Sequence, residues 1–254
     1  MSFTNIFLGI IVLTSFALLS SYETFAEQSK IEKILPTDDA HVLADLSDPA
    51  DSSGLMHTNV GNLDSIQMVS AWNTTKNNNA YVSIVYLKFD ISQQNLNNLE
   101  KAELKLLSRD VSLSETPKKV ALLHVPNNNW KESDITYLKR PFFSTTIASS
   151  AEVSSPNTWY SWDVTPLVMQ NPGSELSVAL TFEVGKDNTQ DYVSFYSKEA
   201  ADPNFRPFLE LTFTPKSAFS NNAESSSISL YAGIAIAACG ILAGYFISKR
   251  SSKY

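Results

Sequence analysis

Apolar and polar residues alternate one by one in several runs of this sequence, and no other feature constrains the fold as strongly. The clearest runs are 85–90, 101–107, 176–183 and 209–213. Successive side chains of a β-strand point to opposite faces, so each run describes a strand with one buried and one solvated face. Further strands are expected near 40–45, 65–72, 119–126, 158–164 and 191–197.

These strands predict an all-β chain. Their length, and the Asn-, Asp-, Ser- and Pro-rich connections between them, favour a β-sandwich of two packed antiparallel sheets over 36–215, after a lead segment at 27–35. Helix is expected only as a single turn after Asp163. There Thr165 would cap the turn and Pro166 would take the first helical position.

Residues 1–26 have the pattern of a secretory signal peptide. Their apolar run at 6–19 contains no charge and is too short to span a bilayer comfortably, and the small residues Thr24 and Ala26 suit a cleavage site. An uncleaved N-terminal anchor is the alternative interpretation.

Residues 228–247 predict one C-terminal transmembrane helix. None of these twenty residues is charged, and as a helix they would extend about 30 Å, the thickness of one hydrocarbon core. The basic residues that follow favour a cytoplasmic tail at 248–254. We therefore expect a single-pass protein of the cell membrane, with its domain outside and a flexible stalk at 216–227.

Two features of the predicted helix carry further expectations. Gly240 and Gly244 form a small-xxx-small pair that could support a weak dimer, although small residues are common in membrane helices anyway. Cys239 is the only cysteine of the chain, so the exported part contains no disulfide. An exported domain without disulfides indicates a prokaryotic surface rather than an animal one.

Charge is distributed unevenly along the predicted exterior. Residues 27–227 hold 16 basic and 25 acidic residues, a net charge of 16 − 25 = −9, whereas 101–140 hold eight basic and five acidic residues, a net charge of +3. The acidic whole argues against nucleic acid as a partner. The basic middle segment either contacts an anionic polymer or is ordinary solvated charge.

Catalytic and metal-binding patterns are weak. His41, His57 and His124 form no HExxH motif, and the sequence contains no Gly-x-Ser-x-Gly, so we predict no enzyme activity. Paired acids such as Glu132 and Asp134 could serve glycoside hydrolysis, but they fit better as acceptors that hold a loop. Glu199 is interpreted as a structural acid near Arg206.

No cofactor is expected, although a structural calcium ion is one interpretation of an Asp-rich stretch. Calcium takes six to eight oxygen ligands, but the spacing matches no EF-hand, and solvated turn-forming aspartates are the alternative. The stretch contains Asp38, Asp39, Asp45, Asp48 and Asp51.

Six short elements resemble, in order, those of the carbohydrate-binding module family 96 domains, also called DNRLRE domains. They are Asp38-Asp39-Ala40-His41-Val42, Asn59-Val60-Gly61, Tyr86-Leu87-Lys88-Phe89-Asp90-Ile91, Trp130-Lys131-Glu132 with Ile135-Thr136-Tyr137 and Pro141, Trp162-Asp163-Val164-Thr165, and Phe195-Tyr196-Ser197-Lys198-Glu199-Ala200. The literal DNRLRE string is absent, and Lys198 replaces the usual arginine. The resemblance implies a jelly-roll-type β-sandwich that binds polysaccharide without catalysis, with polyuronates among the ligands.

Carbohydrate recognition needs an exposed aromatic ring beside groups that bind hydroxyls or carboxylates. The available rings are Trp72, Tyr81, Trp130, Tyr137 and Tyr160, of which Trp130 is expected in the core, as is Trp162. We predict carbohydrate contacts at Trp72, Tyr137, Lys139 and Arg140. Asn73 opens an Asn-Thr-Thr glycosylation acceptor, and a glycan there would crowd Trp72.

Two functional hypotheses remain open. The first is a cell-surface module that binds an extracellular or envelope polysaccharide, which could be anionic. The second is a structural or adhesive envelope protein that contacts other proteins and has no glycan ligand.

Overall fold

The computed structural model describes residues 29–48, 50–61, 63–73, 79–182 and 190–215, with side chains described except at 67–80 and 190. The predicted signal peptide, the stalk, the membrane helix with Gly240 and Gly244, and the tail lie outside these residues. Within the described ranges, no helix has the length and apolar character needed to cross a bilayer.

The described part of the chain is built from eleven strands. They are β1 Lys30–Ile34, β2 Asp38–Asp45, β3 Ser65–Asn73, β4 Asn79–Asp90, β5 Leu99–Ser112, β6 Lys118–Val125, β7 Ile147–Val153, β8 Trp159–Asp163, β9 Glu175–Phe182, β10 Gln190–Tyr196 and β11 Phe208–Phe213. One short α-helix, α1 Thr165–Gln170, and two 3₁₀ turns, η1 Leu55–His57 and η2 Pro203–Phe205, accompany them.

All strand pairs are antiparallel, and they form two sheets that share β5. The first sheet has the order β1-β11-β5-β8. The second has the order β5-β10-β3-β4-β9-β6-β7, with β2 also paired to β4. The start of β5 pairs with β11 and β8, whereas its end, from Ser108 to Ser112, pairs with β10. The predicted all-β architecture with two antiparallel sheets is therefore confirmed.

The main hydrophobic core contains the inward-facing side chains of both sheets. Val85, Leu87 and Phe89 of β4 lie in this core, which is the face predicted from their alternation. Trp162 is fully buried at its centre, where its ring packs edge-on to Phe195 at 6.0 Å and its indole N–H donates to the carbonyl of Val120. The prediction that Trp162 is a core residue is thus confirmed.

A second, smaller core covers the outer face of β4, which the alternation had predicted to be solvated. Tyr86 is completely buried and Lys88 is 6% exposed, so the prediction of a wet face is wrong for this strand. The reason is the long connection at 126–146, which folds over the outer face and inserts Trp130 and Ile135 there. Burial of Trp130 was predicted and is confirmed.

The helical turn after Asp163 is present, but its predicted cap is wrong. Val164 occupies the N-cap, Thr165 is the first helical residue, and Pro166 follows it. The Thr165 hydroxyl instead accepts from the backbone N–H of Ala102 at 2.9 Å and donates to Asp163 Oδ1 at 2.6 Å. This side chain therefore ties α1 to β5.

Two strands lie where the alternation gave no signal. β1 lies in the segment predicted as a lead and pairs along β11. β7 pairs only with β6 within the described residues and has the sequence Ile-Ala-Ser-Ser-Ala-Glu-Val. Both are edge strands with mostly exposed or half-buried side chains.

Candidate functional site

The connection between β6 and β7, residues 126–146, is held firmly against the second sheet; we call it the β6–β7 loop. Its Trp130 donates from the indole N–H to Ser177 Oγ at 3.0 Å. The hydroxyl of Tyr86 on β4 donates to the carbonyl of Pro141 at 3.1 Å. Burial keeps the pKa of Tyr86 well above its usual value, so the hydroxyl remains a donor. The loop is therefore a fixed surface.

An open pocket of about 450 Å³ lies on this surface, and we call it the loop pocket. Its walls are Pro126, Asn127, Asn129, Trp130, Lys139, Arg140, Pro141, Phe142, Phe143 and Ser144. The ring of Phe142 is 90% exposed, whereas Phe143 next to it packs against the second core. The exposed ring lies beside polar groups, and this combination is the one that carbohydrate recognition needs.

The charges on the loop pocket are both positive. Lys139 is exposed, and Arg140 places its guanidinium carbon 3.7 Å from the ring centre of Tyr137 while donating to the carbonyl of that residue. Neither cation has a carboxylate partner within the described part of the chain. The stacking holds the guanidinium in place, and both charges remain available for an anionic ligand.

The structure brings two of the four predicted contact residues into this pocket, namely Lys139 and Arg140. Tyr137 is half-buried against the second core, with Arg140 over its ring, and is not part of the pocket lining. Trp72 and Asn73 end β3, and their side chains are not among those described. A role for Trp72 or Tyr137, and glycosylation of Asn73, stay predictions.

Phe142 was not predicted as a contact residue, and the sequence contains only a weak signal for it. It follows Lys139-Arg140-Pro141 in a segment without periodicity. Without periodicity, the sequence does not show whether an aromatic side chain in this segment is buried or exposed. The proline and the two basic residues before it are the only hint of a surface position.

A second aromatic pocket, of about 510 Å³, lies on the outer face of the first sheet, and we call it the sheet pocket. Trp159 on β8 is 41% exposed there, and its ring lies 5.3 Å from that of Phe208. Lys33 Nζ lies 4.1 Å above the Phe208 ring. Lys105 contacts Glu103 at 3.1 Å and Glu210 at 3.9 Å. The ring of Phe208 and the charge of Lys105 are therefore already engaged.

Three of the motifs singled out in the sequence meet in one cluster of acids, which we call the carboxylate cluster: Asp39, Glu132 and Glu199. Lys198 connects them, since its ammonium donates to Glu132 Oε1 at 2.9 Å and to Glu199 Oε1, while its backbone N–H donates to Asp39 Oδ2 at 2.7 Å. Glu132 Oε2 also accepts from the backbone N–H of Asp39 at 3.2 Å. Glu132 therefore holds a loop, as predicted.

The environment of the carboxylate cluster shifts two pKa values. Burial, together with the neighbouring charges of Glu199 and Glu132, raises the pKa of Asp39 to about 8. Burial alone would lower the pKa of Lys198, but its hydrogen bonds to Glu199 and Glu132 outweigh that effect and raise it. Glu199 pairs with Lys198, and the Arg206 guanidinium donates to the carbonyl of the adjacent Ala200 at 2.9 Å.

The other aspartates of the Asp-rich stretch have separate partners. Asp38 Oδ2 lies 3.0 Å from Lys88 Nζ, and its Oδ1 accepts from the backbone N–H of Glu132. Asp45, Asp48 and Asp51 accept from nearby backbone or hydroxyl groups of the turns they form. This arrangement matches the turn-forming interpretation for these three residues.

The family model described as carbohydrate-binding module family 96 matches residues 32–213. This range extends from β1 to the last residue of β11 and includes all six elements quoted above. No curated protein matches the chain.

Proposed function

Because the chain belongs to carbohydrate-binding module family 96, we propose that it is a non-catalytic module that binds an anionic polysaccharide through the loop pocket. Membership of the family supports carbohydrate as the ligand class. The observation that supports this site is the 90% exposed ring of Phe142 beside Lys139 and Arg140.

The chemistry of the loop pocket suits an acidic sugar chain. The Phe142 ring offers an apolar face to the C–H groups of a pyranose. The Lys139 ammonium and the Arg140 guanidinium pair with carboxylate or sulfate groups, and the planar guanidinium does so through two parallel hydrogen bonds. The exposed amides of Asn127 and Asn129 supply donors and acceptors for hydroxyls.

The loop pocket is favoured over the sheet pocket because its cations are not paired with acids. In the sheet pocket, Lys105 is paired with acids and Lys33 covers the Phe208 ring, so a ligand would have to displace existing contacts. In the loop pocket, none of the described lining residues is an acid. A ligand there gains ionic contacts without breaking an ion pair, although the Arg140 guanidinium is also stacked on Tyr137.

We further propose that the module is displayed outside the cell by a membrane helix at 228–247. The uncharged run and the basic residues after it support this topology. Protease added to intact cells should remove the module and leave a small membrane-bound fragment. Protection of the module in intact cells, with digestion only after lysis, would contradict the display.

A glycan array probed with fragment 27–215 tests the ligand class. The proposal predicts binding to acidic glycans, such as uronic acid polymers, and little binding to neutral ones. Lys139→Ala should weaken the signal about tenfold, whereas Lys119→Ala, which removes an exposed lysine of β6, should not. Silence across acidic and neutral glycans would favour the adhesive protein without a glycan ligand.

A further inference from the structure

Each carboxylate cluster residue comes from a different part of the fold. Asp39 lies on β2, Glu132 in the β6–β7 loop, and Glu199 just after β10. Each offers an oxygen, and these three oxygens lie within 4.8 Å of one another. Two oxygens on opposite sides of one Ca²⁺ ion are separated by about the same distance, since each Ca²⁺–O bond is about 2.4 Å long.

The contacts of the cluster leave negative charge in excess. Asp38 joins the three acids through Glu132, which gives four carboxylates. Among the described residues, two cations contact them, Lys88 and Lys198. With all of these groups ionised the sum is −4 + 2 = −2, which a single divalent cation balances.

Two oxygens of the cluster also have no hydrogen-bond partner in the part of the chain that the structure describes. Asp39 Oδ1 and Glu199 Oε2 are both buried and unpaired, and Asp39 is 1% exposed overall. A buried carboxylate oxygen without a partner costs free energy that a bound cation or a proton recovers.

We propose that Asp39, Glu132 and Glu199 bind one divalent cation of the Ca²⁺ type. Hard cations take carboxylate oxygens as ligands, and Ca²⁺ accepts irregular geometry and completes its shell with water. Lys198 lies on the Oε1 side of Glu132 and Glu199. The ligand atoms would be Oε2 of Glu199, Oδ1 of Asp39 and Oε2 of Glu132. The last of these accepts one hydrogen bond, from the backbone N–H of Asp39, and has a second lone pair.

The surrounding structure fixes Glu132 in place for this role. The amide of Asn59 donates to the carbonyls of Glu132 and Ile135, both at 2.7 Å. Gly61 approaches so closely that a Cβ at this position would lie 2.4 Å from the carbonyl oxygen of Glu132. The ion would therefore connect β2, the end of β10 and the same loop that carries the loop pocket.

Calorimetric titration of the full chain, kept in a non-ionic detergent, with CaCl₂ tests the proposal. We expect one ion per chain, with a Kd on the order of 10⁻⁴ M, typical of extracellular calcium modules. Thermal unfolding followed by circular dichroism should show a Tm about 5 °C higher at saturating CaCl₂ than in EDTA. Mg²⁺ should bind more weakly because it demands a tighter octahedral shell.

Glu199→Gln should abolish the heat of binding and the Tm shift, while the variant remains folded in EDTA, since Glu199 is half-buried rather than central. Glu152→Gln, an exposed acid on β7, is the matched control and should bind as the parent does. A folded parent chain with no heat and no Tm shift would overturn the proposal, because the two oxygens would then share a proton. Unchanged binding by Glu199→Gln would overturn it as well, since the ion would lie elsewhere.

Discussion

Asp191 on β10 is a buried carboxylate that depends on a few neighbours for its charge. It is 1% exposed, and its Oδ2 lies 2.6 Å from Lys118 Nζ. Its Oδ1 accepts from the backbone N–H and the hydroxyl of Ser114. Burial alone would raise the pKa of Asp191, but these bonds outweigh it and hold the pKa below its usual range. The pair therefore fastens β6 and the end of β5 to β10.

Asp191→Asn should lower the free energy of unfolding by about 3 kcal/mol, because it leaves the Lys118 charge without a partner in a mostly buried position. Asp64→Asn is the control, since Asp64 is 66% exposed in its pair with Arg109, and its loss should cost less than about 1 kcal/mol. Urea unfolding of both variants measures the difference. Equal small losses would mean that the Asp191 pair contributes little.

Glu103 on β5 should make the protein sensitive to acid. Burial alone would raise its pKa, but hydrogen bonds from Ser161, Lys101 and Lys105 lower it to about 2 from an unperturbed 4.5. The folded state therefore favours the ionised form, and this stabilisation is complete above about pH 5 and is lost as pH falls towards 2. At pH 3 the loss amounts to about 1 kcal/mol, because solvent screens the ion pair with the half-exposed Lys101.

Urea unfolding at pH 7 and pH 3 should show this loss in the parent and not in Glu103→Gln. The control is Glu100→Gln, which changes an exposed acid at the start of β5. This variant should lose as much stability at pH 3 as the parent does. If the free energy of unfolding fell equally between pH 7 and pH 3 in the parent and in Glu103→Gln, Glu103 would not be the source of the acid sensitivity.

At the scale of elements, alternation predicted the strands that place several side chains in the main core and missed two that place only one or two there. β1 and β7 are edge strands, and β7 has mostly small residues, so neither has an apolar face to detect. β4 has two buried faces because the β6–β7 loop covers one of them. Local periodicity contains no information about a covering segment forty residues away along the chain.

The Asn59–Gly61 turn positions the β6–β7 loop, because Asn59 donates to the carbonyls of Glu132 and Ile135 and Gly61 packs against Glu132. Gly61→Ala should push Glu132 and the β6–β7 loop away from this turn and lower the free energy of unfolding by about 2 kcal/mol, because the new Cβ would overlap the Glu132 carbonyl. It should also weaken Ca²⁺ binding. Gly54→Ala is the control: its φ of +71° adds strain, but no atom lies near the added Cβ, so Ca²⁺ affinity should be unchanged.

Urea unfolding and calcium titration of the two variants provide the comparison. If Gly54→Ala and Gly61→Ala lost stability equally and kept the same Ca²⁺ affinity, the close approach of Gly61 to Glu132 would have no structural importance.

At the scale of the whole molecule, the sites depend on contacts between distant parts of the sequence. Lys139 and Arg140 were predicted because they lie beside the aromatic Tyr137, and such neighbours are visible along a sequence. The carboxylate cluster was not predictable as a unit, because Asp39, Glu132 and Glu199 meet only when two sheets and a covering loop are assembled. The exposure of Phe142 likewise depends on which side of the loop faces the second core.

An acidic domain that binds an acidic polymer should do so with a marked salt dependence. The attraction is local to Lys139 and Arg140, and salt screens exposed charges over about 10 Å at 0.1 M. Affinity for a uronic acid polymer should fall about fivefold between 50 and 200 mM NaCl. Lys139→Ala should bind more weakly and show less of this dependence, and Lys119→Ala should behave as the parent. Binding that is indifferent to salt would exclude an ionic contact at the loop pocket.

The most direct test of the proposed function is to determine which pocket binds the sugar. Calorimetric titration of fragment 27–215 with an acidic oligosaccharide should give an affinity at least about tenfold lower for Phe142→Ala than for the parent. Trp159→Ala, which removes the exposed ring of the sheet pocket, should leave the affinity unchanged. The opposite pattern, with loss only in Trp159→Ala, would contradict binding at the loop pocket.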